Sequence, residues 1–148
     1  MTRRAGRGIS RQRCEGSGGR RLAMHKERVL CLAECLGRVC SGSRDGTIRE
    51  WRTGTWAGLL TVAAYAADWR QRPLCLAVSG PKLVSGSVFY EYDPDEGAEY
   101  EVRVWDLGTL ECEQTVRQPA GAEVNCLLSV RGEVWGGVGS EVVVWGRE

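Results

Sequence analysis

The sequence predicts an all-β fold: an open array of about three four-stranded antiparallel sheets, the last one incomplete. Three observations predict it. Three segments of the chain align with one another, turn signals recur at short intervals, and no helical period lasts three turns after residue 28. The 148 residues hold twenty glycines and six tryptophans against a single phenylalanine, a composition suited to short strands and tight turns. The length accommodates one domain of ordinary size, and the 43% hydrophobic and 26% charged fractions are those of a globular chain.

The aligned segments run from Val29 to Ser43, from Pro73 to Ser87 and from Val124 to Val138. In each, a Cys-Leu pair (Cys31, Cys75, Cys126) stands ten residues before Ser41, Ser85 or Gly136. Each then leads into an apolar stretch that ends at Trp51, Trp105 or Trp145. The cysteines are 44 and 51 residues apart and the tryptophans 54 and 40, which brackets the ~40–45 residues of a four-stranded repeat.

Within the first repeat the elements follow in order. Val29 to Cys35 and Arg38 to Ser43 are β-prone runs separated by Leu36-Gly37, a hairpin signal. Asp45-Gly46 supplies a second turn, because both residues tolerate the positive φ of tight hairpins. Thr47 to Trp51 alternates polar and apolar residues as a half-buried strand does, and Gly54 turns the chain into a fourth strand, Trp56 to Val62. The repeats divide the chain into 22–54, 55–108 and 109–148, after a tail of residues 1–21.

These residues resemble the WD-repeat family of β-propellers. Trp105-Asp106 is the dipeptide that names the family, and Cys40 to Trp51 is close to the family's second and third strands. His25, four residues before Val29, stands where the family places the His of its Gly-His pair. The resemblance implies a hydrogen-bonded chain of His25, Ser41, Asp45 and Trp51 that ties the strands of repeat one together. Repeat two retains Ser85 and Trp105, with Trp69 at the His position and Glu99 replacing the turn Asp. Repeat three retains Trp145 alone, with Ala120 at the His position and glycines for the Ser and Asp. These two repeats are expected to depend on apolar packing. Closed propellers have typically four to eight blades, so three repeats imply an open arc. Only Gly146, Arg147 and Glu148 follow Trp145, so the last repeat lacks its outer strand. Three explanations compete, a fragment or truncated product of a larger propeller, two copies joined in a six-bladed ring, and an arc that needs a partner chain, and the first is the one expected.

Other chemistry finds little support in the sequence. His25 is the only histidine, and neither a nucleophile motif nor a phosphate loop accompanies it, so no enzyme is expected. Cys31, Cys35 and Cys40 near His25 raise the question of zinc. Cys31 and Cys35 would stand ~13 Å apart on an extended strand, and Cys31 aligns with Cys75 and Cys126 as a packing residue. No metal or cofactor is expected. Seven cysteines, an odd number at uneven spacing with no apolar leader, read as reduced thiols of an intracellular protein, cytoplasmic or nuclear. The longest uncharged run, Thr53 to Ala67, is too short for a membrane span.

Two segments bear on partners. Val88 to Glu101 contains six acids, three tyrosines and no base, and reads as an extended hairpin loop broken by Pro94 and Gly97. It is either a solvated loop or a docking surface for a basic partner, with Tyr90, Tyr92, Asp93, Asp95, Glu96 and Tyr100 as contacts. Asp93, Asp95 and Glu96 lack the spacing of an EF-hand calcium loop. The tail carries seven arginines and one glutamate, net +6, which leaves −5 for the remainder of a chain whose total is +1. Its glycines oppose a presequence helix and its composition predicts disorder. The family resemblance implies a non-catalytic scaffold that binds other proteins or peptides. It also implies, as an alternative, substrate recognition within a larger ubiquitin ligase or kinase. Nucleic-acid contact through the arginine-rich tail is the reading from another class, and the near-neutral total charge weighs against it.

Overall fold

A computed structural model describes residues 3–5, 9–11, 21–35, 37–62, 71–90 and 97–146. Thirteen strands follow in chain order: β1 (Arg3–Ala5), β2 (Ile9–Arg11), β3 (Val29–Cys35), β4 (Arg38–Ser43), β5 (Ile48–Arg52), β6 (Gly58–Val62), β7 (Gln71–Ser79), β8 (Lys82–Phe89), β9 (Glu99–Asp106), β10 (Cys112–Arg117), β11 (Val124–Val130), β12 (Glu133–Val138) and β13 (Glu141–Trp145). There is no helix among the described residues, so none is long and apolar enough to cross a membrane.

Three antiparallel meanders carry the fold. Sheet one is β3-β4-β5-β6, sheet two β7-β8-β9-β10 and sheet three β11-β12-β13, and they do not close on one another. The sheets begin at the aligned Val29, just before Pro73 and at the aligned Val124; in sheets one and two the last strand, β6 or β10, lies beyond the repeat's tryptophan, whereas β13 of sheet three ends at Trp145. In the arginine-rich tail, expected to lack structure, β1 and β2 pair through Arg3–Arg11, Arg4–Ser10 and Ala5–Ile9. An isolated two-stranded ladder of this length is marginal in water, and like charges paired across it weaken it further.

The three first hairpins share one irregularity. Pairing slips between Val29 and Cys31, between Pro73 and Cys75, and between Val124 and Cys126. Beyond this bulge Cys31 pairs with Gly42, Cys75 with Gly86 and Cys126 with Gly137. A methyl group on these glycines would stand 2.7, 2.6 and 2.8 Å from the facing Sγ. The thiol lies flat on the opposite backbone, and glycine is the residue that leaves room for it. The next sheet fills the same hollow: Pro73 Cγ would be 2.9 Å from a Cβ at Gly42, and Val124 Cγ1 2.6 Å from one at Gly86. Sequence repetition thus reappears as a repeated packing step.

Sheet two lies between the other two, and β7 contacts both β3 and β11. Its side chains divide by the two-residue period of a strand. Leu76, Leu83 and Trp105, with Leu110 beyond β9, join Cys40 and Ile48 of sheet one in one core. Cys75, Ala77, Val84 and Val102 join Val124, Val134 and Val138 of sheet three in a second core. Two buried carboxylates are paired: Glu50 Oε1 lies 2.7 Å from Arg38 Nη1, and Glu101 Oε1 lies 2.6 Å from Arg103 Nη2. Buried charge requires such partners.

The turn after each tryptophan is also repeated. Trp56 and Leu110, five residues beyond Trp51 and Trp105, take φ of 63° and 55°. Their N–H groups donate to Arg52 O at 3.0 Å and Asp106 O at 2.7 Å. Non-glycine residues rarely adopt this conformation, and burial of Leu110 in the core offsets the strain.

Burial raises the thiols of Cys31 and Cys75 to about 12. Brief alkylation of the folded chain at pH 8 should therefore modify exposed Cys112 and spare Cys31, Cys40 and Cys75, as read by peptide mass mapping. Equal labelling of all four would contradict this packing.

Candidate functional site

The polar chain of repeat one forms at the edge of sheet one's outer face. β5 presents Trp51 and β4 presents Ser41, which lie two rungs apart along the ladder, where Val39 pairs with Trp51 and Ser41 with Arg49. Trp51 Nε1 donates to Ser41 Oγ at 2.8 Å. Ser41 Oγ lies 2.7 Å from His25 Nε2, and His25 Nδ1 lies 3.1 Å from Asp45 Oδ2. With Nδ1 protonated, the donors run in one direction, from indole to hydroxyl to imidazole to carboxylate. Thr47 adds a link the sequence did not suggest. Its hydroxyl donates to Asp45 Oδ1, its N–H donates to the same oxygen at 2.9 Å, and its Oγ1 lies 3.1 Å from His25 Nδ1. Lys26 N–H completes the carboxylate's set at 3.0 Å.

Residue types of a Ser–His–acid triad are thus present, but Ser41 Oγ is fully engaged. It receives the indole N–H, faces the imidazole, and is 2% exposed. Chemically the arrangement braces the segment before β3 against the β4–β5 turn. Partial burial pushes the Asp45 carboxyl up. The hydrogen bonds from Thr47, Lys26 and His25 outweigh it and lower the group from 3.8 to about 2. A depressed carboxylate contributes stability above its unfolded value and loses it as pH falls through the folded value. Unfolding free energy should therefore drop by roughly 1 kcal/mol between pH 4 and pH 2, screening by water at the rim keeping the effect small. Asp45→Asn should flatten that portion of a pH–stability profile, and an unchanged profile would contradict the brace.

The other repeats reproduce parts of this pattern. Trp105 Nε1 donates to Ser85 Oγ at 2.8 Å, as Trp51 does to Ser41. Trp69, expected at the His position, lies outside the described residues. Glu99, expected to replace the turn Asp, is instead in β9 and pairs with Phe89, because the β8–β9 ladder runs three rungs beyond Gly86–Val102. Asp106 takes a separate role: its Oδ1 accepts N–H bonds from Gly108 at 2.9 Å and Thr109 at 3.0 Å. The Thr109 and Gly108 N–H bonds hold its carboxyl below the usual range. In repeat three Trp145 lies on Gly136, where a Cβ would be 2.6 Å from the indole. Glycine stands where the other two repeats carry the hydroxyl, and the ring occupies the space above it.

The acidic hairpin is shorter than expected. Val88 and Phe89 extend β8 and Glu99, Tyr100 and Glu101 extend β9, so the connection is residues 90–98. Alternation of apolar and acidic residues on either side of the Pro94–Gly97 break is the signal of those strands. Tyr100 packs against the core between sheets two and three, and burial raises its hydroxyl, helped by Glu123 and Tyr90. Arg72 stands over the Tyr90 ring at 5.8 Å. Tyr92, Asp93, Asp95 and Glu96 lie outside the described residues. Below the hairpin a cleft of about 570 Å³ is lined by Glu99, Tyr100, Arg117, Gln118, Ala120 and Glu123.

The sheet faces complete the inventory. On sheet one, a groove of about 340 Å³ is lined by Leu22, His25, Val29, Leu32, Val39 and Trp51 among others. Leu32 there is 64% exposed, and Leu128 and Val142 on the outer face of sheet three are 63% and 71% exposed. Of the cysteines considered for zinc, Cys31 and Cys40 pack in the core between sheets one and two. Among the described residues no three His, Cys, Asp or Glu side chains gather around a metal-sized point. No protein-family model matches the chain, and no curated protein matches it either.

Proposed function

We propose that the chain is a non-catalytic scaffold of WD-repeat type that holds the β8–β9 hairpin for binding to a basic protein segment. The observation that carries this reading is the hairpin itself. Its base is a continuous ladder from Lys82–Asp106 to Phe89–Glu99, anchored in both cores. Recognition residues concentrate in loops that a fixed scaffold carries, and this ladder is such a scaffold. The sequence places Asp93, Asp95 and Glu96 between Tyr90, Tyr92 and Tyr100, a set suited to arginine through carboxylate pairing and ring stacking. The shared bulge, the Trp51–Ser41–His25–Asp45 chain and the stacked sheets support the repeat reading. Engagement of Ser41 Oγ by Trp51 supports a structural rather than catalytic use of His25.

The test is fluorescence anisotropy with arginine-bearing peptides at low and physiological salt. A variant with Asp93→Asn, Asp95→Asn and Glu96→Gln should bind about tenfold more weakly, with a reduced salt dependence. Equal binding by the parent and this variant would contradict the hairpin's role.

A further inference from the structure

The two outer faces are the separated halves of an interface that the chain already makes twice. Toward sheet one, sheet two presents Leu76, Leu83, Ser85, Trp105 and Leu110. At the aligned positions the open face of sheet one presents Leu32, Val39 and Trp56, around Ser41 and Trp51, which His25 already covers. Toward sheet three, sheet two presents Cys75, Ala77, Val84 and Val102. Their counterparts on the open face of sheet three are Cys126, Leu128, Trp135 and Val142, which are exposed.

The internal interfaces also set the register. Pro73 seats on Gly42, beside Cys31, and Val124 seats on Gly86, beside Cys75. The residue aligned with Pro73 and Val124 is Val29, which is 50% exposed. The hollow aligned with Gly42 and Gly86 is Gly137, with Cys126 lying on it and uncovered. A knob without a hollow and a hollow without a knob stand at opposite ends of one stack.

We infer that two copies of this chain dock head to tail, sheet three of each on sheet one of the other, with Val29 of one copy seated on Gly137 and Cys126 of the second. Contacts of this kind are heterologous and close into a ring only when the rotation per step allows it. Two copies give six sheets, within the four to eight that close such rings, and both exposed strand faces are then covered. A self-paired arrangement, sheet one on sheet one, would place knob against knob and leave both hollows empty.

The inference takes over the stacked-repeat reading but not the peptide-binding one, and the two fail separately. A monomer that still binds arginine peptides overturns docking alone, and a dimer that binds none overturns the hairpin's role alone. Light scattering coupled to size exclusion should give a dimer for the parent chain. Leu32→Glu and Leu128→Glu, both at exposed positions, should each give a monomer, and an equimolar mixture should recover a weaker one-to-one dimer through the one pair of intact faces. A monomeric parent at 100-micromolar order of concentration, or dissociation by only one of the two variants, overturns the inference. Folding of the variants does not decide the matter, because a second measurement uses a near-parent chain. Under mild oxidation Val29→Cys should form a disulfide-linked dimer through Cys126, and Cys126→Ser should abolish it. Mapping that linkage to a different cysteine overturns the register.

Discussion

Trp105→Ala is expected to cost about 3–5 kcal/mol in urea unfolding. Trp105 is 3% exposed and stands in the core between sheets one and two with Leu76, Leu83, Leu110, Cys40 and Ile48. Truncation removes that packing, opens a cavity between two sheets, and leaves Ser85 Oγ without the indole N–H it accepts at 2.8 Å. Since small domains hold only about 5–15 kcal/mol in total, the variant should be marginally folded at 25 °C. Trp145→Ala is the informative comparison. Trp145 is half-buried and rests on Gly136 rather than on a hydroxyl, so its loss should cost about half as much. Equal costs at the two positions would mean that the sheets do not stack with sheet two in the middle.

Gly86→Ala is expected to destabilise by about 3 kcal/mol, although it adds a single methyl group. The added Cβ would stand 2.6 Å from Cys75 Sγ and 2.6 Å from Val124 Cγ1, both buried. One neighbour belongs to the same sheet and the other to the next, so the methyl pushes two sheets apart. The cost should fall by more than about 1 kcal/mol when Cys75→Ala and Val124→Ala are present, because contacting residues couple. Gly58→Ala serves as the control. The nearest atom to its Cβ is Met24 Cε at 3.9 Å, so the change should be neutral or slightly stabilising. Thermal or urea unfolding of the set, with similar losses at Gly86 and Gly58, would contradict the repeated thiol-on-glycine packing.

Much of this architecture is legible in the residues. Turn glycines and period-two runs place β3 and β4 with their observed boundaries, because local turn chemistry and alternation decide those elements. The alignment of Ser41 with Ser85 and of Trp51 with Trp105 locates the two indole–hydroxyl bonds. The glycine eleven residues after each aligned cysteine was visible too, yet its meaning is not local. It comes from a bulge that brings Sγ over the opposite strand and from a residue of the following sheet. The acidic hairpin's strands run further than its composition predicts for a related reason. Acids among Val88, Phe89 and Tyr100 read as loop composition, whereas partnering of Glu101 by Arg103 and Gln71 lets a carboxylate sit within a strand. Thr47 is a third case: nothing in its local sequence shows that the turn carboxylate and the imidazole converge on its hydroxyl. Partners distant in sequence supplied what pattern reading lacked.

The central claim is that the aligned repeats stack face to face, with sheet two between its neighbours. Ile48, one of two isoleucines in the chain, is buried in the first of the two cores, which makes it a clean reporter. A methyl-labelled sample should show nuclear Overhauser contacts from the Ile48 methyls to at least two of Leu76, Leu83, Trp105 and Leu110 across the interface. Contacts confined to residues of sheet one would contradict the account.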